Sequence, residues 1–146
     1  MSESKLAPLD SINQVIRENR IGDFASPNLA LGMRPLEFSL GASRWSWDAQ
    51  PPSALNPFGT VQGGYLAVFI DEMLSTAIAS VLEAGEFSVT AEVKLSYLRA
   101  LRPGPLSGEA RVIRRTRALA FMEASIANAR GEVAVTATST WAIAKA

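Results

Sequence analysis

The chain contains no cysteine and no histidine, its formal net charge is zero, and its apolar runs are short. The absence of cysteine excludes disulfides, thiol nucleophiles and cysteine-ligated zinc, and the absence of histidine removes the commonest general base and metal ligand. Any catalysis must therefore use carboxylates, hydroxyls, amides and the backbone. Zero net charge gives no electrostatic reason to expect a nucleic acid or an anionic membrane as a partner.

The 146 residues are enough for one domain with its own core. We expect a single domain over residues 1–146, in which residues 1–30 form a helical appendage. Asp10 is predicted to cap a helix over residues 11–19, which Gly22 would end. No apolar run approaches the roughly 18 residues of a membrane span, and the N-terminus lacks the basic-then-apolar order of a secretory signal. These features predict a cytoplasmic protein.

The pattern of apolar residues predicts one long helix and several strands. Two strands are expected between Met33 and Asp48, where Leu36, Phe38, Leu40, Trp45 and Trp47 alternate with polar residues. Residues 63–83 contain no Gly or Pro beyond their start and are apolar nearly all round, which predicts a buried helix.

After Gly85 the period changes to two, which predicts strands over residues 89–97, 109–115, 119–128 and 133–144. In the last strand, one face would carry Val133, Val135, Ala137, Ser139, Trp141 and Ile143. One central helix against an antiparallel sheet is an α+β architecture.

The most informative segment joins a glycine turn to this helix. It reads Asn56-Pro-Phe-Gly-Thr-Val-Gln-Gly-Gly64 and leads into a helix that carries Asp71 and Glu72. Paired glycines at a helix start let a substrate approach unpaired backbone N–H groups, which suit a developing negative oxygen. An acid two turns later can act on water or attack directly.

This order of elements, with Asp71 eight residues after Gly63, resembles the hotdog-fold thioesterases, and specifically their phenylacetate-degradation (PaaI-like) branch. Two later segments, Thr90-x-Glu92-x-x-x-x-Tyr97 and Leu119-Ala-Phe-Met, are similar to strands of that family. The likeness extends over residues 31–143. It implies a curved antiparallel sheet wrapped around the long helix, assembled as homodimers or homotetramers that hydrolyse acyl-coenzyme A thioesters without a metal or redox cofactor.

The resemblance implies roles for particular residues. The N–H of Gly63 would polarise the thioester carbonyl, and Gly64 would permit close approach of the substrate. Asp71 would be the nucleophile or the general base, and its apolar neighbours Phe69, Ile70, Met73 and Leu74 predict that it is buried, which would make it a stronger base. Glu72, about 100° further round the helix, is the alternative carboxylate.

Thr90 falls where the family has a hydroxyl that orients the attacking water, although a strand position also explains a threonine. Asn56 would hold water or the carbonyl, or would simply start a turn. Family members usually carry His-Gly-Gly where this chain has Gln62-Gly63-Gly64, and the Gln62 amide can still donate hydrogen bonds to the loop or the acyl carbonyl. Phe58, Tyr65, Met73 and Tyr97 are candidates for an acyl pocket, or for the core.

Gly63 and Asp71 would be about 12 Å apart along one helix, so one chain cannot place both on the same carbonyl. A two-fold pairing with antiparallel helices would bring Asp71 of one subunit opposite Gly63 of the other. The predicted function is therefore an acyl-coenzyme A thioesterase with a shared site. The alternative is a non-catalytic acyl-coenzyme A or acyl-carrier binding protein, and a hotdog dehydratase is disfavoured because it would usually need a histidine base.

A cluster of arginines lies between residues 99 and 117. It could meet coenzyme A phosphates, or it could be a solvated strand face. Its members are Arg99, Arg102, Arg111, Arg114, Arg115 and Arg117.

Overall fold

The computed structural model describes residues 11–50 and 54–145. A short helix, α1, occupies residues 11–17 and is followed by two 3-10 turns, Ile21–Asp23 and Pro27–Leu31. The long helix α2 is Gly63–Ala79. The strands are β1 (Met33–Ser39), β2 (Ala42–Ala49), β3 (Glu86–Tyr97), β4 (Gly104–Arg115), β5 (Leu119–Ala127) and β6 (Val133–Lys145).

The six strands form one antiparallel sheet in the order β1-β2-β4-β5-β6-β3, and α2 packs on one face of it. This is the predicted α+β hotdog arrangement, a long helix wrapped by a curved antiparallel sheet, so that prediction is confirmed. The order leaves β1 and β3 as the two edges. No helix in the described part of the chain is long and apolar enough to cross a membrane.

The predicted alternation in the first hairpin holds for only some of its residues. Trp45 and Trp47 are buried, at 0% and 1% exposure, but Leu36 and Leu40 are 52% and 85% exposed. The pairing of β1 with β2 shifts register between Pro35 and Glu37, so Leu36 is an extra residue that turns outward. Leu40 lies in the turn after β1.

Helix α2 ends at Ala79, four residues before the predicted end at Glu83. The Ser80 hydroxyl donates to the Ala77 carbonyl and accepts from the Gly41 N–H at 2.7 Å, which ties the helix end to the β1–β2 turn. The C-terminal half of α2 is buried as predicted, whereas its first turns are partly exposed.

A glycine in β4 lets α2 approach the sheet closely. A Cβ on Gly108 would come within 2.3 Å of the Met73 sulfur and 3.1 Å of the Phe69 ring. Both side chains are fully buried. A larger residue at this point would displace the helix or its core side chains.

The N-terminal segment packs over the C-terminal end of α2. The Arg17 guanidinium donates to the Leu82 carbonyl at 2.9 Å, and Ile16 is 2% exposed. The helix α1 ends before Asn19, which adopts a left-handed backbone (φ 52°), so the predicted end at Gly22 is wrong. The predicted cap, Asp10, lies outside the described residues.

The last strand faces the core as predicted from Val135 to Ile143, but Val133 is 40% exposed because the β5–β6 pairing shifts register between Ile126 and Ala127. Strand β4 begins at Gly104, five residues earlier than predicted.

A partly buried ion pair joins the end of β4 to the start of β3. The Arg115 guanidinium donates to the Glu86 carboxylate at 2.6 Å, and their side chains are 21% and 5% exposed. Burial acts to raise the pKa of Glu86, but the Glu83 N–H, Arg115 and Lys145 together hold that pKa below its usual value. The lowered pKa favours the ionised form of Glu86, which the ion pair with Arg115 requires.

Candidate active site

The loop before α2 is built around Asn56. Its side-chain oxygen accepts hydrogen bonds from the N–H groups of Phe58 (3.0 Å) and Thr60 (3.2 Å), and its side-chain nitrogen donates to the Thr60 hydroxyl at 2.8 Å. The amide is thus engaged within the loop. This matches the turn interpretation of Asn56 and gives it a role in shaping the approach to α2.

The start of α2 leaves a backbone N–H group without an acceptor in the part of the chain that the structure describes. Gln62 is the N-cap residue, its side chain makes no capping bond, and it is exposed. Among the described residues the N–H of Gly63 has no acceptor. A Cβ on Gly64 would meet nothing within 4 Å, so open space rather than packing surrounds this glycine. The helix start can therefore receive a negatively polarised oxygen.

Gly63 is held in place from the end of β3. The Tyr97 hydroxyl donates to the Gly63 carbonyl at 2.9 Å, and a Cβ on Gly63 would lie 3.3 Å from the Tyr97 ring. Sequence reasoning considered Tyr97 only as a pocket or core residue. Its distance of 34 positions from Gly63 gives no local signal of this bond.

Asp71, in α2, is hydrogen-bonded to Thr90, in β3. The Thr90 hydroxyl donates to an Asp71 carboxylate oxygen at 2.8 Å, across from α2 to β3. The predicted burial of Asp71 is wrong for the single chain, because both side chains are exposed. Asp71 lies on the side of α2 that faces the edge strand β3, where no further strand of the described residues covers it.

The alternative carboxylate, Glu72, points elsewhere. It is 9% exposed and accepts a hydrogen bond from the Asn28 side-chain nitrogen at 2.5 Å. Asn28 belongs to the 3-10 turn that precedes β1, so this bond joins the N-terminal segment to α2. Glu72 therefore does not share the position of Asp71 beside Thr90.

A cavity of about 290 Å³ lies between the N-terminal segment, α2 and the β3–β6 pair. Among its walls are Ser75, Ser88 and Trp141. Trp141 is the direct cross-strand partner of Thr90, so the cavity adjoins the Asp71–Thr90 pair. The Trp141 indole nitrogen is the one buried side-chain polar atom of the described residues that lacks a hydrogen-bond partner.

The aromatic candidates from the sequence do not line this cavity. Phe58 is 90% exposed at the tip of the loop, and Tyr65 is half-buried against the core. Neither is among the described wall residues.

Three of the clustered arginines have structural partners. Arg99 pairs with Glu132 at 2.7 Å, Arg111 pairs with Glu123, and Arg115 pairs with Glu86. The hydrogen bond from the Asn128 amide lowers the pKa of the Glu132 carboxyl most, and the positive charge of Arg99 lowers it further. These pairs favour the strand-face explanation for half of the cluster.

Comparison with known proteins places these features in a family. Residues 58–135 match the model of the thioesterase superfamily, which is just over half of the chain. No curated protein matches the sequence.

Solved structures share the fold. A phenylacetic acid degradation-related protein from Ralstonia eutropha JMP134 is 27% identical, with a TM-score of 0.78 over 90% of this chain and 98% of that one. A thioesterase from Haemophilus influenzae is 20% identical, with a TM-score of 0.77 over 88% of each chain. A thioesterase protein from Streptococcus pneumoniae TIGR4, solved with coenzyme A, is 23% identical, with a TM-score of 0.71 over 77% of this chain and 86% of that one.

Proposed function

This chain belongs to the thioesterase superfamily, and we propose that it hydrolyses an acyl-coenzyme A thioester to a free acid and coenzyme A. The observation that carries the proposal is the hydrogen bond between Thr90 and Asp71, which places an exposed carboxylate beside a hydroxyl that can orient water. The relative solved with coenzyme A supports this choice of carrier.

The chemistry follows from two groups. The N–H of Gly63 donates to the thioester carbonyl oxygen and stabilises the negative charge that forms there, helped by the positive end of the α2 dipole. Asp71 accepts a proton from water as the water oxygen bonds to the carbonyl carbon, or its carboxylate attacks that carbon directly. The carbon–sulfur bond then breaks, and the thiolate of coenzyme A leaves and takes up a proton. In the direct route the acyl group is left on Asp71 as an anhydride, and water then hydrolyses this anhydride to release the free acid and restore the carboxylate.

One subunit cannot supply both groups to one carbonyl. Gly63 and Asp71 lie in the same helix, eight residues and about 12 Å apart. The edge strand β3 gives the means of pairing, because within residues 11–50 and 54–145 no strand lies beside its outer backbone groups. Val89 and Tyr97 on this strand are more than half exposed. Antiparallel pairing of two β3 strands continues the sheet and sets two α2 helices antiparallel on the same face.

The same contacts define the register of that pairing. Asp71 lies beside Thr90, and Gly63 is bonded to Tyr97. For Asp71 to meet the partner's Gly63, Thr90 must lie close to the partner's Tyr97. The two-fold axis then passes near Val93 and Lys94, midway between those positions.

Release of free thiol from a panel of acyl-coenzyme A esters tests the proposal. Asp71→Asn should lower kcat by at least about 10²-fold, because it removes the nucleophile or base. Thr90→Val should lower it less, since it removes only the orienting hydroxyl. Asp48→Asn makes the same chemical change on an exposed strand residue outside the site and should leave kcat unchanged.

The second candidate is a non-catalytic acyl-coenzyme A binding protein. The observation that favours it is Gln62, which replaces the usual family histidine and makes no side-chain capping bond. Tight binding of acyl-coenzyme A, with the same negligible turnover in the native chain and in Asp71→Asn, would establish the binder and refute the hydrolase.

A further inference from the structure

The cavity next to the Asp71–Thr90 pair carries a buried carboxylate that the proposed chemistry does not use. We propose that this cavity receives the acyl group of the substrate and selects short acyl chains that bear a hydroxyl, with Glu72 as the residue that recognises it. The inference rests on the proposed function, and it adds the class of acyl group to it.

The cavity lies where the acyl group of a thioester must go. Ser75 is one helical turn beyond Asp71 on the same side of α2, and Ser88 is two residues before Thr90 on the same face of β3. Trp141 stands directly across from Thr90. A carbonyl carbon held at Asp71 can therefore extend its acyl chain into this space.

One wall of the cavity offers hydrogen-bonding capacity that the protein leaves unused. The Glu72 carboxylate is 9% exposed and has one side-chain donor, Asn28, on one of its two oxygens. An ionised carboxylate can accept about four hydrogen bonds. Asn13 also lines the cavity, is 7% exposed, and has no side-chain partner among the described residues.

Buried polar groups normally find hydrogen-bond partners, and a buried carboxylate is costly when it has few. A ligand hydroxyl that donates to Glu72 would supply the missing partner. An acyl chain ending in a carboxylate would instead be repelled by Glu72.

The rest of the wall limits the size and shape of the acyl group. The remaining surface is largely apolar, with Phe24, Leu82 and Phe87 among its residues. At about 290 Å³ the cavity lies just below the usual range for ligand sites, roughly 300 to 1,000 Å³. This volume suits a chain of a few carbons or a single ring.

Part of the cavity wall, and the residue that donates to Glu72, lie outside the superfamily match. Asn13, Phe24 and the Glu72 partner Asn28 all precede residue 58, where the match begins. Glu72 itself is within the match, but its orientation is fixed from the N-terminal segment. Selection of the acyl group would thus be a property of this chain, separate from the shared chemistry.

Binding of non-hydrolysable thioethers tests the inference without depending on turnover. The six-carbon probes are S-hexyl-, S-(6-hydroxyhexyl)- and S-(5-carboxypentyl)-coenzyme A. A four-carbon pair consists of S-butyl- and S-(4-hydroxybutyl)-coenzyme A. Their affinities are measured by titration calorimetry on the full chain. In at least one matched pair the hydroxylated probe should bind about tenfold more tightly, as expected for a hydrogen bond to a charged group. The carboxylated probe should bind most weakly.

Glu72→Gln should reduce the hydroxyl preference, measured as the ratio between the affinities for the hydroxylated and the plain probe, to about twofold. It should also improve binding of the carboxylated probe relative to the S-hexyl probe. Glu83→Gln is the matched control, because it removes the same charge from an exposed residue outside the cavity wall. If Glu72→Gln does not fold, Asn13→Leu provides a second test and should lower the ratio between the affinities for the hydroxylated and the plain probe.

Equal affinity for hydroxylated and plain probes in the native chain would overturn the inference, as would a preference that both variants retain. Hydrolysis of plain acyl esters with no hydroxyl preference would leave the proposed function standing and remove only the selectivity. If no ester is hydrolysed but the thioethers bind selectively, the selectivity would stand and the proposed function would be refuted.

Discussion

Replacing Gly63 with proline removes one hydrogen atom from the candidate site at little cost to the helix. Gly63 is the first residue of α2, a position where proline is favoured because the N–H there has no intrahelical partner. The preceding residue, Gln62, has φ −66° and ψ 133°, which is the extended conformation that a following proline requires. Gly63→Pro therefore tests the oxyanion donor while the fold is kept.

Gly63→Ala is the matched control. Alanine and proline would both place a Cβ 3.3 Å from the Tyr97 ring, but alanine keeps the backbone N–H. We expect Gly63→Pro to lower kcat/KM about 10²- to 10³-fold, the usual loss for one oxyanion donor. Gly63→Ala should lose much less, so the ratio between the two variants isolates the N–H from the added bulk.

Subunit mixing then asks which chain supplies each group. A hybrid of a Gly63→Pro subunit and an Asp71→Asn subunit keeps one site with both groups intact if the site is shared, and none if each subunit has its own. Random exchange at equal concentrations makes half of the dimers hybrids, and each has one working site of two, so about a quarter of the native activity should return.

The assay is thiol release after subunit exchange, with exchange itself followed by mass spectrometry of differently tagged chains. Complete exchange without recovery of activity would refute the shared site. Equal activity of Gly63→Pro and Gly63→Ala would refute the role of the Gly63 N–H.

Three further predictions concern the fold and its pairing. Gly108→Ala should lower the free energy of unfolding by about 1 to 3 kcal/mol in urea titrations, because the added methyl overlaps the buried helix side chains, and an unchanged midpoint would contradict that close approach. Glu86→Gln should lower the free energy of unfolding by about 3 kcal/mol at pH 7, because it leaves Arg115 without its anion. Since the pKa of Glu86 is lowered in the folded state, the difference in unfolding free energy between the variant and the native chain should shrink as the pH falls below 4.5. A difference that does not change with pH would contradict this prediction. The chain has no cysteine, so Lys94→Cys should form an intersubunit disulfide on oxidation, because its two copies would lie about 6 Å apart near the two-fold axis. Ser96→Cys should form none, because its two copies would lie about 17 Å apart. The opposite result would exclude the register proposed for β3.

Local patterns in the sequence were enough to predict the architecture. The long apolar stretch after Gly63 and the period of two beyond Gly85 predicted one helix and a set of strands, and both are present. The glycine pair located the start of the helix, because only a few residue types suit that position. Element ends were less accurate: α2 stops at Ala79 because the Ser80 hydroxyl bonds to Ala77 and to the distant Gly41, a contact that no local pattern encodes.

Side-chain environments depended on the tertiary structure. The apolar neighbours of Asp71 predicted burial, yet its exposure follows from the place of β3 at the sheet edge, which is a matter of strand order. The outward turn of Leu36 follows from a bulge, which needs the partner strand to define it.

By itself, the sequence determined which residues could do chemistry and the spacing of Gly63 from Asp71, since both are properties of one continuous segment. Only the fold decided that Thr90 reaches Asp71, that Tyr97 holds Gly63, and that Asn28 holds Glu72 in the wall of the adjoining cavity. Each of these contacts joins residues 19 to 44 positions apart, and such distances are closed by the packing of strands and helix rather than by any local preference.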